Sequence, residues 1–170
     1  EKKEMKYKNM PKDWDFIVMV DRIQDPGNLG TIIRTAHASG ADALYMSEGT
    51  VDPYSPKVLR STMGSIFHLP VIQCDDMVSY IEKVKSEGFK VYASSLEGST
   101  EYYNLDYNQK TALIIGNEAN GASQEILECA DSLIKIPMPG GAESLNAAVA
   151  GGILMFEIVR QRKDRKSTRL

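Results

Sequence analysis

Proline, glycine and small polar residues crowd one short stretch of this 170-residue sequence, at positions 136–146. The two prolines in it have no backbone N–H, so the apolar run before them cannot continue as a paired strand. The glycine pair at 140–141 lets the backbone approach a ligand closely. Ser144 and Asn146 follow at the place where the first N–H groups of a helix need acceptors. The stretch therefore predicts either an ordinary serine-capped helix entry or a loop that binds a ligand.

A second segment, 25–34, places one arginine beside a glycine on the outer face of a helix. Apolar residues recur there at helical spacing and form a core-facing stripe, so Arg34 is expected to point away from the core, on the side of Gly30. A guanidinium offers a fixed fork of donors that suits a phosphate or a carboxylate. Asn28 stands at the beginning of the same helix. The alternative for Arg34 is an ordinary solvated surface side chain.

Two further loops follow apolar runs and are rich in glycine and small polar groups. In the loop at 116–123, Gly116 permits close contact with a ligand. Glu118 either orients donors, accepts a proton or is simply an exposed loop glutamate. The loop at 94–99, which contains Leu96, is expected to line the same pocket.

Strands and helices alternate along the chain, which is typical of an α/β fold with a mostly parallel sheet flanked by helices. Apolar runs predict strands at 16–20, 43–46, 69–72, 89–93, 111–115 and 133–138. Helical periodicity and capping residues predict helices at about 29–40, 57–63, 77–86, 124–130 and 143–162. Ligands bind beyond the carboxyl ends of the strands in such sheets, so the glycine-rich loops are expected to meet at one edge.

Composition excludes several classes of protein. No run of about 18 apolar residues occurs, so no membrane span is expected. Cys74 and Cys129 lie far apart and are expected to be reduced thiols of a cytoplasmic protein. The flanks of His37 and His68 show no metal-ligand spacing, so no metal site is predicted. Fingerprints of dinucleotide-binding folds, phosphate-binding loops and nucleophile elbows are missing from the sequence.

Charge is unevenly distributed along the chain. The net charge of −3 gives no global sign of nucleic-acid binding. Lysines nevertheless crowd the segment 2–12, and basic residues crowd the segment 160–169. Such runs are either solvated tails or arms that bind phosphates.

Taken together, the loops resemble the three motifs of the SpoU (TrmH-like) RNA 2′-O-ribose methyltransferases, of the SPOUT class. The segment 28–34 is similar to the first motif of that family, 116–121 to the second and 136–146 to the third. Their order and spacing match as well, and the similarity extends over about 16–162.

The resemblance implies an enzyme that uses S-adenosylmethionine and whose C-terminal segment threads a loop to form a trefoil knot. The residues that it implies hold the cofactor, largely through backbone groups, are Leu96, Gly116, Ile136, Met138 and Leu145. Those that it implies surround the reacting groups are Asn28, Arg34, Glu118, Ser144 and Asn146. The substrate implied is RNA, with ribosomal RNA favoured over transfer RNA by analogy alone.

The family resemblance also implies a homodimer whose site is completed across the interface. The last predicted helix fits that role, because small residues in its broad apolar face allow close packing. The residues of this face are Leu145, Ala148, Val149, Gly152, Ile153, Phe156 and Val159. The alternative is that this helix buries the face in its own subunit.

Under this resemblance Arg34 is interpreted as a phosphate anchor that also stabilises the developing alkoxide. It is a poor general base, because a guanidinium has a pKa above about 12. A substrate phosphate would accept the proton, while Ser144 and Asn146 orient the ribose or the carboxylate of the cofactor. Two alternatives stay open: a SPOUT enzyme that methylates a base, which the segment 144–146 disfavours, and a catalytically silent RNA-binding or ribosome-assembly module.

One methyltransferase domain of the SpoU type is expected, at 16–162, between a basic extension at 1–15 and a basic tail at 163–170. Many members of the family carry an RNA-binding domain ahead of this one. The extension is therefore interpreted as the remnant of a linker to such a domain, in a chain that is either a minimal single-domain member or a fragment.

Overall fold

Seven parallel strands form the centre of the protein in a computed structural model, which describes residues 10–167 and side chains as far as Lys163. The strands are β1 (Phe16–Val20), β2 (Ala43–Ser47), β3 (Val71–Cys74), β4 (Lys90–Ser94), β5 (Thr100–Glu101), β6 (Thr111–Ile115) and β7 (Ser132–Lys135). Their order across the sheet is β3-β2-β1-β6-β4-β7-β5, with parallel pairing between neighbours. The predicted mostly parallel sheet is confirmed. The segments 1–9 and 168–170, which belong to the predicted extension and tail, lie outside the described residues.

Five α-helices cover the two faces of the sheet within the described range. They are α1 (Pro26–Ala38), α2 (Pro56–Thr62), α3 (Met77–Ser86), α4 (Gln124–Cys129) and α5 (Ala147–Ser167), and two short 3-10 helices lie at Ser65–Phe67 and Tyr102–Asn104. Side chains of α1, α2 and α5 form a core on one face, and those of α3 and α4 form a core on the other. Because both faces are covered, β1 and β6 are buried along their whole length, which explains their continuous apolar sequences. No helix within residues 10–167 is long and apolar enough to cross a membrane.

Helix α1 begins at Pro26 rather than at about 29 as predicted, because Asp25 caps it. The Asp25 Oδ1 atom accepts the N–H of Asn28 at 2.8 Å. The apolar stripe of α1 is buried and Arg34 is exposed, as predicted. The interpretation of Gly30 as part of a ligand-facing surface is wrong, because a Cβ atom there would collide with the Cβ of Ser61 in α2. Gly30 instead lets the two helices pack at close range.

We expect Gly30→Ala to lower the free energy of unfolding by about 1 to 3 kcal/mol, which is typical of overpacking. The added methyl would also lie 2.9 Å from the backbone oxygen of Val58, so α2 itself has to move. Urea unfolding followed by circular dichroism measures the change. Gly140→Ala is the control, because a Cβ at Gly140 meets nothing within 4 Å. Equal stability of the two variants would contradict the close packing of α1 on α2.

The segment between β7 and α5 departs from the sequence prediction at both ends. Strand β7 ends at Lys135 rather than 138, and α5 begins at Ala147 rather than 143. Asn146 caps α5, since its Oδ1 atom accepts the N–H groups of Ala148 at 2.9 Å and Val149 at 3.1 Å. The predicted serine cap is therefore wrong: Ser144 lies exposed in the loop before the helix. Both residue types cap helices well, and the one placed nearer the first free N–H groups takes the role.

Candidate active site

A cavity of about 760 Å³ opens at the carboxyl edge of the sheet, where the loops after β4, β6 and β7 meet. Its lining includes every residue predicted to hold the cofactor: Leu96, Gly116, Ile136, Met138 and Leu145. Glu118 and Ser144 also line it, while Asn28, Arg34 and Asn146 do not. The expectation that these loops share one edge is correct.

The loop after β6 folds back on itself under the cavity. The backbone N–H of Asn117 donates to the carbonyl of Gly121 at 3.1 Å, and the reverse hydrogen bond measures 2.9 Å. Gly121 has a φ of +68°, in the left-handed region that favours glycine. A Cβ at Gly116 would collide with backbone atoms of Gly121 and Ala122. Gly116 is therefore required for the closed form of this loop.

Glu118 binds the turn that leads from β1 into α1. Its carboxylate accepts the N–H of Asp25 at 2.9 Å and the N–H of Gln24 at 3.2 Å. The side-chain amide of Asn28 donates to the same carboxylate at 3.4 Å. Partial burial favours the neutral acid, but the hydrogen bonds from Asp25, Glu118 itself, Gln24 and Asn28 outweigh it and lower the pKa of Glu118. The carboxylate is thus kept ionised and serves as an acceptor.

Asn28 connects this carboxylate to the beginning of α5. The Asn146 Nδ2 atom donates to Asn28 Oδ1 at 3.0 Å, while Asn28 Nδ2 donates to Glu118. The Oδ1 atom of Asn146 is engaged by its own helix, so both asparagine amides have a defined orientation. The three predicted motifs are therefore joined by one chain of hydrogen bonds, Glu118–Asn28–Asn146.

Arg34 lies apart from this network. It stands on the exposed face of α1, six residues after Asn28, which is about 9 Å along a helix axis. Its guanidinium makes no hydrogen bond or ion pair within residues 10–167. Among the predicted residues around the reaction, Arg34 is the one that neither lines the cavity nor joins the hydrogen-bonded network of its own chain.

Two polar residues at the end of β1 were not predicted but support the site. The Asp21 side chain is almost fully buried, and its carboxylate accepts the Ser47 hydroxyl and the Ser123 N–H, both at 2.8 Å. It thereby joins β1 and β2 to the loop after β6. Arg22 lines the cavity with a left-handed φ of +52°, and its carbonyl accepts the amide of Asn117 at 2.6 Å. The sequence signal that could have identified them is a pair of oppositely charged residues, Asp21 and Arg22, directly after a buried strand and at the edge of the sheet where ligands bind.

We expect Glu118→Gln to lower the free energy of unfolding by about 1 kcal/mol near neutral pH, because charge-assisted hydrogen bonds to an exposed group are partly screened. The folded protein lowers the pKa of Glu118, so its contribution is present above the unfolded value of about 4.3 and is lost as the pH falls through the lowered folded value. The gap between variant and parent should therefore close in acid. Urea unfolding of the variant and the parent at neutral pH and in acid measures this difference in the free energy of unfolding, with Glu97→Gln as the control. A gap that persists in acid would contradict the role of the ionised carboxylate.

The sequence model of the SpoU rRNA Methylase family matches residues 15–156, most of the chain. The chain belongs to the SpoU rRNA methylase family. The residues of the network and of the cavity lining all lie within the matched segment.

Similar sequences of this SpoU family carry names that refer to RNA methylation. The chain is 44% identical over 142 residues to the 23S rRNA (guanosine(2553)-2'-O)-methyltransferase RlmP of Bacillus subtilis, covering 84% of this chain and 57% of that protein. It is 36% identical over 148 residues to a putative TrmH family tRNA/rRNA methyltransferase of Staphylococcus aureus, covering 87% of this chain and 60% of the relative. The chain thus spans somewhat more than half the length of these relatives.

Solved structures show the same fold. The SpoU methyltransferase AviRb of Streptomyces viridochromogenes, in complex with AdoMet, aligns with a TM-score of 0.83 and 37% identity over 89% of this chain and 62% of that one. An AdoMet-bound rRNA methyltransferase of Sinorhizobium meliloti aligns with a TM-score of 0.83 and 40% identity, over 89% of this chain and 58% of that one. Both proteins are therefore similar to this chain in sequence as well as in fold.

Proposed function

We propose that this chain transfers a methyl group from S-adenosylmethionine to a ribose 2′-hydroxyl of RNA, with ribosomal RNA as the substrate rather than transfer RNA. The observation that carries the proposal is the Glu118–Asn28–Asn146 chain of hydrogen bonds beside a cavity lined by all five predicted cofactor residues. The name of the Bacillus subtilis relative, a 23S rRNA enzyme, supports the choice of ribosomal RNA. We place the reaction in the cytoplasm and assign it to residues 16–162.

The lining of the cavity suits S-adenosylmethionine in its apolar surface and its charge. Leu96 is 66% exposed and Leu145 is 36% exposed, so both offer apolar surface that an adenosine moiety would cover. The described lining carries three carboxylates, those of Glu97, Glu118 and Glu143, against the single cation of Arg22. This excess of negative charge favours a cationic sulfonium ligand. When bound, the cofactor supplies an electrophilic methyl group.

The residues of the network position the reactants rather than exchange protons with them. Glu118 has a lowered pKa and already accepts several hydrogen bonds, so it is a weak base and a good anchor for Asn28. Asn28 and Asn146 have fixed amide groups next to the cavity. Ser144, exposed at the cavity, offers a hydroxyl to the ribose or to the cofactor carboxylate. Holding both reactants in line supplies much of the rate of a displacement reaction.

We propose that a second copy of the chain supplies Arg34. Arg34 belongs neither to the cavity lining nor to the hydrogen-bonded network of its own subunit, which supports this, as does an exposed apolar stripe on α5. In that stripe Val149 is 52% exposed and Phe156 is 48% exposed, with Gly152 and Ile153 beside them at helical spacing. Ala148, which was predicted to belong to this face, is instead buried in the core of its own chain. The stripe is therefore narrower than predicted but still suits a homodimer interface.

We also propose that the C-terminal end of the chain forms a trefoil knot. Strand β7 lies between β4 and β5, and Ser94 and Thr100 both pair with its Ile134. The connection at 95–99 must therefore cross β7 at that level, and a Cβ at Gly98 would lie 2.8 Å from the carbonyl carbon of Ile134. Such a tight crossing supports a chain path in which the segment after β7 passes through the loop on its way to α5.

Two measurements test the proposed function. Calorimetric titration with S-adenosylmethionine should give saturable binding at one site per chain. Incubation with labelled cofactor and bacterial ribosomal RNA, followed by mapping of the label, should locate a 2′-O-methyl group. Binding of RNA without any affinity for the cofactor would instead identify a catalytically silent RNA-binding module, and label on a base would identify a base methyltransferase.

A further inference from the structure

Two large apolar side chains project from the connection between α2 and β3. Phe67 is 83% exposed and Met63 is 71% exposed, the highest values among the large apolar residues that the structure describes. Ile66 and Leu69 of the same connection are buried and anchor it to the core. The 3-10 turn between them is closed by the Phe67 N–H, which donates to the Gly64 carbonyl at 3.1 Å. An anchored turn therefore holds the Phe67 ring out into solvent.

A pair of stacked imidazoles joins this turn to α1. The rings of His37 and His68 lie 5.2 Å apart with an interplanar angle of 10°, and both residues are exposed. The Nδ1 atom of His37 lies 3.1 Å from the Ser65 hydroxyl, which fixes the ring on the turn. His37 follows Arg34 by three residues on α1, so their side chains are neighbours on the helix surface. We call the exposed group His37, Met63, Phe67 and His68 the corner patch.

Cations border the corner patch on two helices. Lys57 and Arg60 lie three residues apart on one side of α2, and Met63 follows directly after the end of that helix. Lys57 and Arg60 are exposed, as is Arg34 on α1. Within residues 10–167 none of these three side chains makes a hydrogen bond or an ion pair. Two cations without such partners thus lie on the helix that leads into the exposed turn, and Arg34 lies one helical turn from His37 on α1.

We propose that the corner patch binds an unpaired stretch of the RNA substrate, with a nucleobase stacked on Phe67 and phosphates held by Lys57 and Arg60. This inference rests on the proposed function, in that it takes RNA as the substrate. Sequence-tolerant binding of single-stranded RNA combines aromatic stacking with a cationic track for the backbone. Base-paired RNA does not fit the patch, because its bases are not free to stack on a side chain.

A second copy of the chain is the competing occupant, and the charges argue against it. In a two-fold interface centred on the corner patch, the patch meets its own copy, so Lys57 and Arg60 would be brought close to the same two cations of the second copy. Like charges brought together in this way oppose association. A polyanion is the occupant whose charge complements the patch.

Substitutions of Phe67 separate the two occupants. Fluorescence anisotropy with a short, labelled, unpaired RNA oligonucleotide of mixed sequence reports affinity without requiring methyl transfer. Phe67→Tyr keeps a flat ring and should bind like the parent. Phe67→Leu keeps apolar surface without a ring and should bind about tenfold more weakly. Tyr103→Leu is the matched control, since Tyr103 is an exposed aromatic residue that follows β5 at the opposite edge of the sheet and should leave RNA affinity unchanged.

Salt dependence tests the cations separately. Arg60→Gln should reduce the slope of log affinity against log salt by about 0.7, the value for one phosphate contact on a single strand. Absence of RNA binding by the parent chain, or equal binding by Phe67→Leu and the parent, overturns the proposal. A change of subunit number in Phe67→Leu, measured by light scattering, overturns it in favour of a second copy. Titration of the parent with S-adenosylmethionine distinguishes these outcomes from failure of the proposed function. Cofactor binding and RNA binding are measured separately, so a parent chain that does not bind the cofactor can still bind RNA at the corner patch.

Discussion

Gly116→Ala is expected to weaken S-adenosylmethionine binding by about ten- to a hundredfold, since overpacking of about 1 to 3 kcal/mol in the closed loop corresponds to a loss of affinity of that size. The added methyl would collide with the backbone of Gly121 and lie 2.8 Å from the Cα of Ala122. Backbone atoms cannot rotate away as a side chain does, so the loop after β6 has to open. The sheet should remain folded, because β6 pairs with β1 and β4 through residues that precede the glycine.

Calorimetric titration measures the affinity, and urea unfolding measures the accompanying loss of stability, expected at about 1 to 3 kcal/mol. Gly151→Ala is the matched control in the same neighbourhood. Its methyl would lie 2.7 Å from the Cδ1 atom of Ile115, which is the end of a flexible side chain and can move. Unchanged cofactor affinity in Gly116→Ala, with a folded control, would show that the closed loop is not needed for binding.

Elements whose own residues determine them were predictable from the sequence. Strands β1 and β6 are continuous apolar runs because both faces of the sheet are covered, and the buried stripe of α1 has a clear helical period. Strand β5 has two residues and no periodicity, so nothing in its sequence distinguishes it from a loop. It exists because β7 offers a free edge there.

The role of Gly30 could not be predicted, for a related reason. Periodicity identifies the side of α1 that points away from the sheet, but whether a ligand or another helix approaches that side depends on where α2 lies. The same holds for the boundary of α5. Ser144 and Asn146 are both good capping residues, and the choice between them depends on the path that the preceding loop takes around the cavity.

For the site, the family resemblance identified the loops that meet at the cavity but not the contacts between their residues. Glu118 was predicted to orient donors or to accept a proton, and its position 90 residues from Asn28 concealed the partners that make it an acceptor. Asp21 was missed because a single acid after a strand is ordinary in sequence. Only its burial, together with its bonds to Ser47 and Ser123, shows that it joins two strands to the loop beneath the cavity.

Arg34→Lys is expected to reduce methyl transfer about a hundredfold while cofactor affinity and stability stay unchanged, which is the size of effect for losing one donor to a developing anion. The exposed guanidinium makes no bond within the described residues, so its replacement leaves the fold intact. Lysine keeps the charge but loses the planar fork that holds a phosphate through two hydrogen bonds. Single-turnover kinetics with saturating cofactor measure the effect, and near-parent activity would contradict the bidentate anchor.

Mixing two inactive variants tests whether Arg34 acts across a dimer. Subunits carrying Arg34→Ala have an intact cavity, and subunits carrying Gly116→Ala have an intact arginine. If each cavity uses the arginine of the other subunit, half of the randomly mixed dimers are hybrids with one working site of two, so activity returns to about a quarter of the parent value. If Arg34 serves its own cavity, every site in the mixture lacks one component and no activity returns. Because Arg34 is exposed and lies outside the cavity lining of its own chain, we expect the mixture to recover about a quarter of the parent activity.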